Sequence, residues 1–366
     1  VLDRSEWHCD RRRHDLQLNY GAIRDHRVVP ALSETRRGTI ANVQALRGGA
    51  ALLVALGHGA RTGAAPEPIL SFVSWSSYAG VDIFFVISGF IVSDAASRAA
   101  GTAPRLRASL DFALRRIFRI FPLYWIALAV AIGLGGWIHI APELWPKSSV
   151  LSMAFLTTLW ITPLSSAWSL AFEAYFYAAL VLVILIAGRH VHLGIFVWLI
   201  LQALWIGFGP PDTGTVGANE LVDEFALGWL VGRVQHLGNN KTAWLAAIGA
   251  LILWTRGAWL TAHRGLLMPG PRLDTFGLAS ALLLYTLLRL EMSGWRAPKP
   301  LERLGDVSYS IYLWHMIVLG IMYTVFPVSS LTFTAAMTLL IVWSFISYAL
   351  IERPGIRLGK MLSLSR

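Results

Sequence analysis

Apolar positions run in blocks along this chain. Segments dominated by apolar residues fall near 42–59, 78–97, 118–138, 150–163, 166–187, 192–208, 219–235, 243–260, 273–290, 307–326 and 331–351. Most reach the roughly 18 residues with few charges that let a helix cross a bilayer. The segment 150–163 is shorter and reads as a re-entrant or interfacial half-helix. The pattern predicts an all-α polytopic membrane protein with about ten transmembrane helices and one half-helix.

Charge sets the expected orientation, because cytoplasmic loops carry excess Lys and Arg. If 150–163 does not span, loops on the side of the N-terminus hold seventeen basic residues after residue 41 and the opposite loops hold five. If it spans, the balance becomes nine against thirteen. Ten spans with both termini cytoplasmic therefore fit best. Residues 1–40 contain Arg11, Arg12, Arg13, Arg36 and Arg37 and no apolar run. They read as a basic, disordered cytosolic tail without the h-region of a signal peptide. Residues 41–355 form the expected membrane domain, and 356–366 a short cytosolic C-terminal tail.

Composition supports this picture. The chain of 366 residues is 55% hydrophobic and 14% charged, whereas soluble domains are about 45–50% apolar and roughly 25% charged. The net charge of +10 lies mostly between apolar blocks, so orientation and membrane lipids explain it better than nucleic acid. A single cysteine, Cys9, excludes an internal disulfide and any multi-cysteine zinc site; no metal site is expected.

Several ionisable residues interrupt the apolar blocks, and such residues are functional candidates by default. Arg47 and His58 share the first span. Eleven residues turn a helix about 20° past three full turns, so both lie on one face about 16 Å apart. They line a polar path, or the arginine snorkels and the histidine caps the interface. Asp82 and Ser88 lie in the second span, and Glu173 and Tyr177, four apart, share a face of the fifth. His315 falls about halfway across the tenth. His58, Asp82 and Glu173 fall in the expected outer half and make a candidate acid–base site. Arg115, Arg116 and Arg119 cluster just before the third span; they fit phosphate oxygens or anchor the protein to acidic lipid.

Five strings together resemble the acyltransferase-3 family of integral membrane acyltransferases over roughly residues 41–355. They are Arg47-x10-His58, GVDIFFVISGF at 80–90, Arg116-x-x-Arg119, Trp168-Ser169-Leu170-x-x-Glu173, and Ser308-Tyr309-x-x-Tyr312-Leu313-x-His315. The wording of the second span resembles exopolysaccharide and O-antigen acetylases. The resemblance implies transfer of an acyl group, usually acetyl, from cytosolic acyl-CoA to a hydroxyl of a carbohydrate or lipid-linked glycan. It implies His58 as catalytic residue and the arginine motifs as linked to the donor. Some members carry an extra soluble C-terminal domain; this chain, ending fifteen residues after residue 351, is expected to lack it.

The expected mechanism joins these readings. Acetyl-CoA is the donor substrate, and no cofactor is bound permanently. Arg115, Arg116 and Arg119 hold its phosphates, and Arg47 extends that cationic surface. His58 acts as general base or is itself acylated. Glu173 or Asp82 orients it. Ser88, Tyr177 or backbone N–H groups of 150–163 supply an oxyanion donor, and His315 is a further site candidate. Two alternatives remain, a polytopic secondary transporter and an acyl-group translocator feeding a separate transferase. Transporter halves tend to repeat, and no repeat is visible here.

Overall fold

A computed structural model describes residues 40–61, 69–135, 154–156, 164–208, 219–265 and 269–363. The N-terminal tail and all but residues 154–156 of the segment 150–163 lie outside the described residues. The described residues are helical, with no strand among them. In chain order the helices are α1 (Ala41–Ala60), α2 (Ile69–Ser76), α3 (Ala79–Thr102), α4 (Arg105–Leu134), α5 (Trp168–Ala187), α6 (Val191–Phe208), α7 (Asp223–Val234), α8 (Asn240–Arg264), α9 (Pro269–Arg272), α10 (Leu278–Met292), α11 (Lys299–Asp306), α12 (Ser308–Val325), α13 (Ser330–Ser347) and α14 (Arg353–Leu362). Two π-helical turns, Leu273–Gly277 and Tyr348–Glu352, join α9 to α10 and α13 to α14.

This is an all-α membrane protein. Seven helical stretches among the described residues are long and apolar enough to cross a bilayer: Ala79–Gly101, Arg105–Leu134, Trp168–Phe208, Asn240–Arg264, Leu273–Met292, Ser308–Val325 and Ser330–Leu362. The outer surface is apolar, as a lipid solvent requires: on α8 alone Trp244, Leu245, Ile248, Leu251, Ile252 and Trp259 are exposed.

Most of the described helices fall on expected apolar segments, but they are not all spans of equal length. Trp168–Phe208 is one stretch of 41 residues, about twice what a bilayer core needs. Gly188, at φ +53°, turns the chain, and α6 folds back on α5 with Gly194 against Val183. Helix α7 has 12 residues and is about 18 Å long, too short to cross alone. It lies on α3 through two glycines, Gly89 beneath the Phe225 carbonyl and Gly228 beneath the Val86 carbonyl, where any Cβ would collide with backbone. Small residues permit such close helix contact in membranes. Helix α1 is long enough to cross but carries Asn42, Gln44, Arg47 and His58.

The expected loop at 97–119 is mostly helix. Only Ala103 and Pro104 separate α3 from α4, because proline cannot continue one helix but can precede the next. The arginine cluster therefore sits about three turns inside α4, not at its start. The expected C-terminal tail from 356 likewise belongs largely to α14, packed through Gly355 and Gly359 on Phe118 and Pro122.

The core lies where α1, α3, α4, α5 and α12 meet. Phe85, Phe176 and Phe225 form its aromatic centre, with Phe176 and Phe225 stacked at 4.3 Å. Helix α1 runs through this bundle against α2, α3, α11 and α12. Its first turn is fixed by Glu291, whose carboxylate accepts from the Ala41 and Asn42 N–H groups at 3.2 and 2.9 Å. An anion there satisfies orphan donors and opposes the helix dipole.

Candidate active site

Two polar levels lie along α1. The first surrounds Arg47. Its guanidinium donates to Gln44 at 2.8 Å, and the Gln44 amide donates to Asp306 at 2.7 Å, tying α1 to α11. Arg47 also feels the charges of Arg119, Glu352 and Glu173. Arg119 is paired loosely with Glu352, at 3.8 Å, and Ser310 donates to the other Glu352 oxygen at 3.0 Å. Arg116 lies over the rings of Phe112 and Tyr177, at 5.3 and 5.5 Å, and its buried Nε has no hydrogen-bond partner among the described residues. Tyr177 donates a short hydrogen bond to Glu173, and Ser88 donates to the same oxygen at 3.4 Å.

Helices α1, α4 and α5 thus bring Arg47, Arg116, Arg119, Glu173 and Tyr177 to one level, with Ser88 from α3. Three cations meet two carboxylates there, so the level carries excess positive charge. Arg115 is not part of it. It lies one turn before Arg119 on α4, is exposed, and donates to Ser363 at 2.9 and 3.3 Å.

The second level surrounds His58. Its ring lies 4.9 Å from that of His315, tilted by 53°. His58 Nδ1 is 2.9 Å from the Val54 carbonyl, and His315 Nδ1 is 2.7 Å from the Tyr312 carbonyl. A carbonyl only accepts, so in each ring Nδ1 carries the proton and Nε2 the lone pair when the imidazole is neutral. His315 is fully buried and its Nε2 has no hydrogen-bond partner among the described residues. Tyr312 donates to the Ser166 carbonyl at 2.7 Å, so at 2.6 Å it is Ser169 that donates to the Tyr312 oxygen.

The two predicted carboxylates are committed elsewhere. Asp82 is fully buried in a bidentate pair with Arg272, with contacts of 2.9, 2.9 and 3.1 Å. The same guanidinium reaches the Tyr78 carbonyl at 3.2 Å and lies 5.8 Å from the Trp168 ring. Glu224, buried on α7, faces this pair. Glu173 belongs to the arginine level. Among the described residues no hydrogen bond joins His58 to either carboxylate; the ring beside it is His315.

Sequence reasoning missed Arg272, Glu224 and Glu352. Arg272 counts by position as a loop residue, and Glu352 closes an apolar segment. Both sit at π-helical turns, which shift side chains off the helical period and often mark functional sites.

One helix, α1, thus joins a cationic level around Arg47 to a pair of facing imidazoles, the half-buried His58 and the buried His315. The chain belongs to the acyltransferase-3 family: the family model, described as an acyltransferase domain, matches residues 40–352. It is a membrane acyltransferase. The chain is similar to the exopolysaccharide production protein ExoZ of Rhizobium meliloti, with 30% identity over 318 residues, 77% of this chain and 90% of that protein. It is 26% identical over 335 residues to nodulation protein 10 of Rhizobium leguminosarum bv. viciae, covering 78% of this chain and 84% of that protein. It is also 26% identical over 286 residues to the peptidoglycan O-acetyltransferase OatA of Listeria monocytogenes, covering 66% of this chain and 45% of that protein. No solved structure matches the chain.

Proposed function

We propose that this acyltransferase moves an acetyl group from acetyl-CoA to a hydroxyl of a carbohydrate or lipid-linked glycan, with His58 as catalytic base. The observation that carries the reading is the separation of two chemistries on α1. Cations in excess surround Arg47, while His58 carries an available Nε2 about 16 Å away. The first suits the phosphates of coenzyme A, which arginine forks bind well. The slender pantetheine arm then leads the thioester toward the imidazole. In this reading the Arg47 end faces the cytoplasm of a bacterial inner membrane, both termini are cytoplasmic, and the acceptor meets His58 from the other side. Names of similar proteins that refer to exopolysaccharide and to peptidoglycan O-acetylation support a glycan acceptor.

Arg47, Arg116 and Arg119 hold the donor. Arg115 is given no part in this seat, because Ser363 holds it elsewhere. Glu173, with Tyr177 and Ser88, orders the arginines, and Asp82 holds Arg272 beside Trp168. His58 takes the hydroxyl proton as the oxygen attacks the thioester carbonyl; the ester C–O bond forms, the C–S bond breaks, and coenzyme A leaves. The test is transfer of label from radiolabelled acetyl-CoA in membranes carrying the wild type or His58→Ala. The expected result is label in a carbohydrate fraction with the wild type only, and a loss of at least about 1,000-fold in the variant at equal protein level. Equal labelling by both proteins removes His58 from the chemistry.

A further inference from the structure

A general base that gains a proton in an apolar bundle needs something to face the new charge. In hydrolase triads a carboxylate does so. Here Asp82 is closed by Arg272 and Glu173 is held by Tyr177 and Ser88. Among the described residues, the ring packed against His58 is His315. His315 is itself anomalous: a fully buried imidazole with one nitrogen bonded to backbone and the other unpartnered among the described residues. Leaving a buried polar atom unsatisfied is costly, and such an atom calls for an explanation.

We propose that His58 and His315 act as an imidazole pair that shares the acceptor's proton between their Nε2 atoms during acyl transfer, with His315 as the positioning residue. The proposal rests on the acyl-transfer reading above. Because backbone carbonyls hold both Nδ1 atoms, both Nε2 atoms are free to accept. The rings are close enough for facing atoms to reach hydrogen-bond distance. The hydroxyl proton goes to His58 Nε2 and is shared as N–H···N with His315 Nε2. It returns through His58 to the coenzyme A thiolate, so the products are the ester and the free thiol, and both imidazoles end neutral. Among the described residues, the other groups facing the pair are the Arg61 guanidinium, whose charge reaches both rings, and the Tyr312 ring at 5.9 Å from His315. Arg61 is held by Ser77 at 3.2 Å and over the Tyr78 ring, so it is not an acceptor for the proton. The chain around His58 is pinned by Gly57 against Ser77 and Gly59 against Phe333, which keeps the ring facing its partner.

Two substitutions separate the two nitrogens. His315→Asn places an amide at the Nδ1 position and keeps the bond to the Tyr312 carbonyl, but has nothing at Nε2. His315→Gln places an amide at Nε2 that can accept a hydrogen bond yet cannot take the proton. Both are compared with the wild type and His58→Ala in membranes, at matched protein level, by thiol release and label transfer from acetyl-CoA. The expected result is a turnover loss of about 100-fold in His315→Asn with donor KM within about twofold, and at least about tenfold more turnover in His315→Gln than in His315→Asn. The reverse order means that the bond to Tyr312 is what matters and overturns the pair. If His315→Asn does not accumulate, His315→Gln alone decides: turnover between wild type and His58→Ala supports the pair, and turnover equal to either overturns it. A wild type that uses acetyl-CoA no better than His58→Ala overturns the functional reading and the pair together. An active wild type with the wrong order overturns the pair alone.

Discussion

Two ion pairs with fully buried carboxylates, each beside a π-helical turn, behave differently. Arg272 and Asp82 are closed: three contacts of 2.9–3.1 Å satisfy both carboxylate oxygens, and the guanidinium also reaches a backbone carbonyl. Arg119 and Glu352 are open, at 3.8 Å, with Glu352 shared with Ser310 and with Arg47 and Arg116 close by. A closed pair cross-links; it fastens α3 to the chain leading into α10. An open pair in a surplus of cations suits an anion, and that is the role proposed for it above. Charge alone does not tell the two pairs apart; geometry and local charge balance do.

Breaking the closed pair has the larger expected effect. Arg272→Ala leaves Asp82 as an unpaired buried carboxylate and costs about 3–5 kcal/mol. The expected outcome is a strong loss of protein from membranes or of thermal stability in detergent. The double substitution Arg272→Met with Asp82→Leu recovers most of that loss, since a buried pair is often replaced by apolar residues at little cost. A stable single variant would show that the pair is not the fastening described.

The open pair answers in binding rather than in folding. Replacing Arg116 and Arg119 together by Gln is expected to raise KM for acetyl-CoA about 10- to 100-fold at normal protein level, because hydrogen bonds to charged groups are worth about 1.5–3 kcal/mol. An unchanged KM returns these residues to lipid anchoring. Glu352→Gln removes one negative charge from the same level while keeping an acceptor for Ser310. It is expected to lower KM about threefold, and a rise would mean that Glu352 positions Arg119 for the donor. The smallest effect belongs to Arg115→Ala, under about twofold in KM, read in the same assay.

The sequence makes much of this legible. An intramembrane arginine or histidine stands out against apolar neighbours, so Arg47, His58 and His315 are readable singly. Helical spacing puts Arg47 and His58 on one face and Glu173 beside Tyr177. Pairing across the bundle is not readable from one chain. His58 and His315 are far apart in sequence, as are Asp82 and Arg272, and nothing local links them. A carboxylate on the right face looks like a partner for His58 until packing assigns it elsewhere. The π-helical turns hide Arg272 and Glu352 for a second reason, since an extra residue per turn breaks the period by which a face is recognised. The continuous α3–Ala103–Pro104–α4 connection was masked by its charge, because basic residues on a helix look like a loop.

Helix α1 runs without a break from Ala41 to Ala60 and carries both levels on one rigid rod. In the proposed reaction it acts as a ruler. The distance from the anionic end of a donor to its reacting carbon is measured against a fixed scale, and the cargo beyond that carbon is not measured at all. Selectivity then falls on the length of the handle, and a short thioester such as acetyl-S-N-acetylcysteamine, which cannot reach both marks, forfeits turnover as well as affinity.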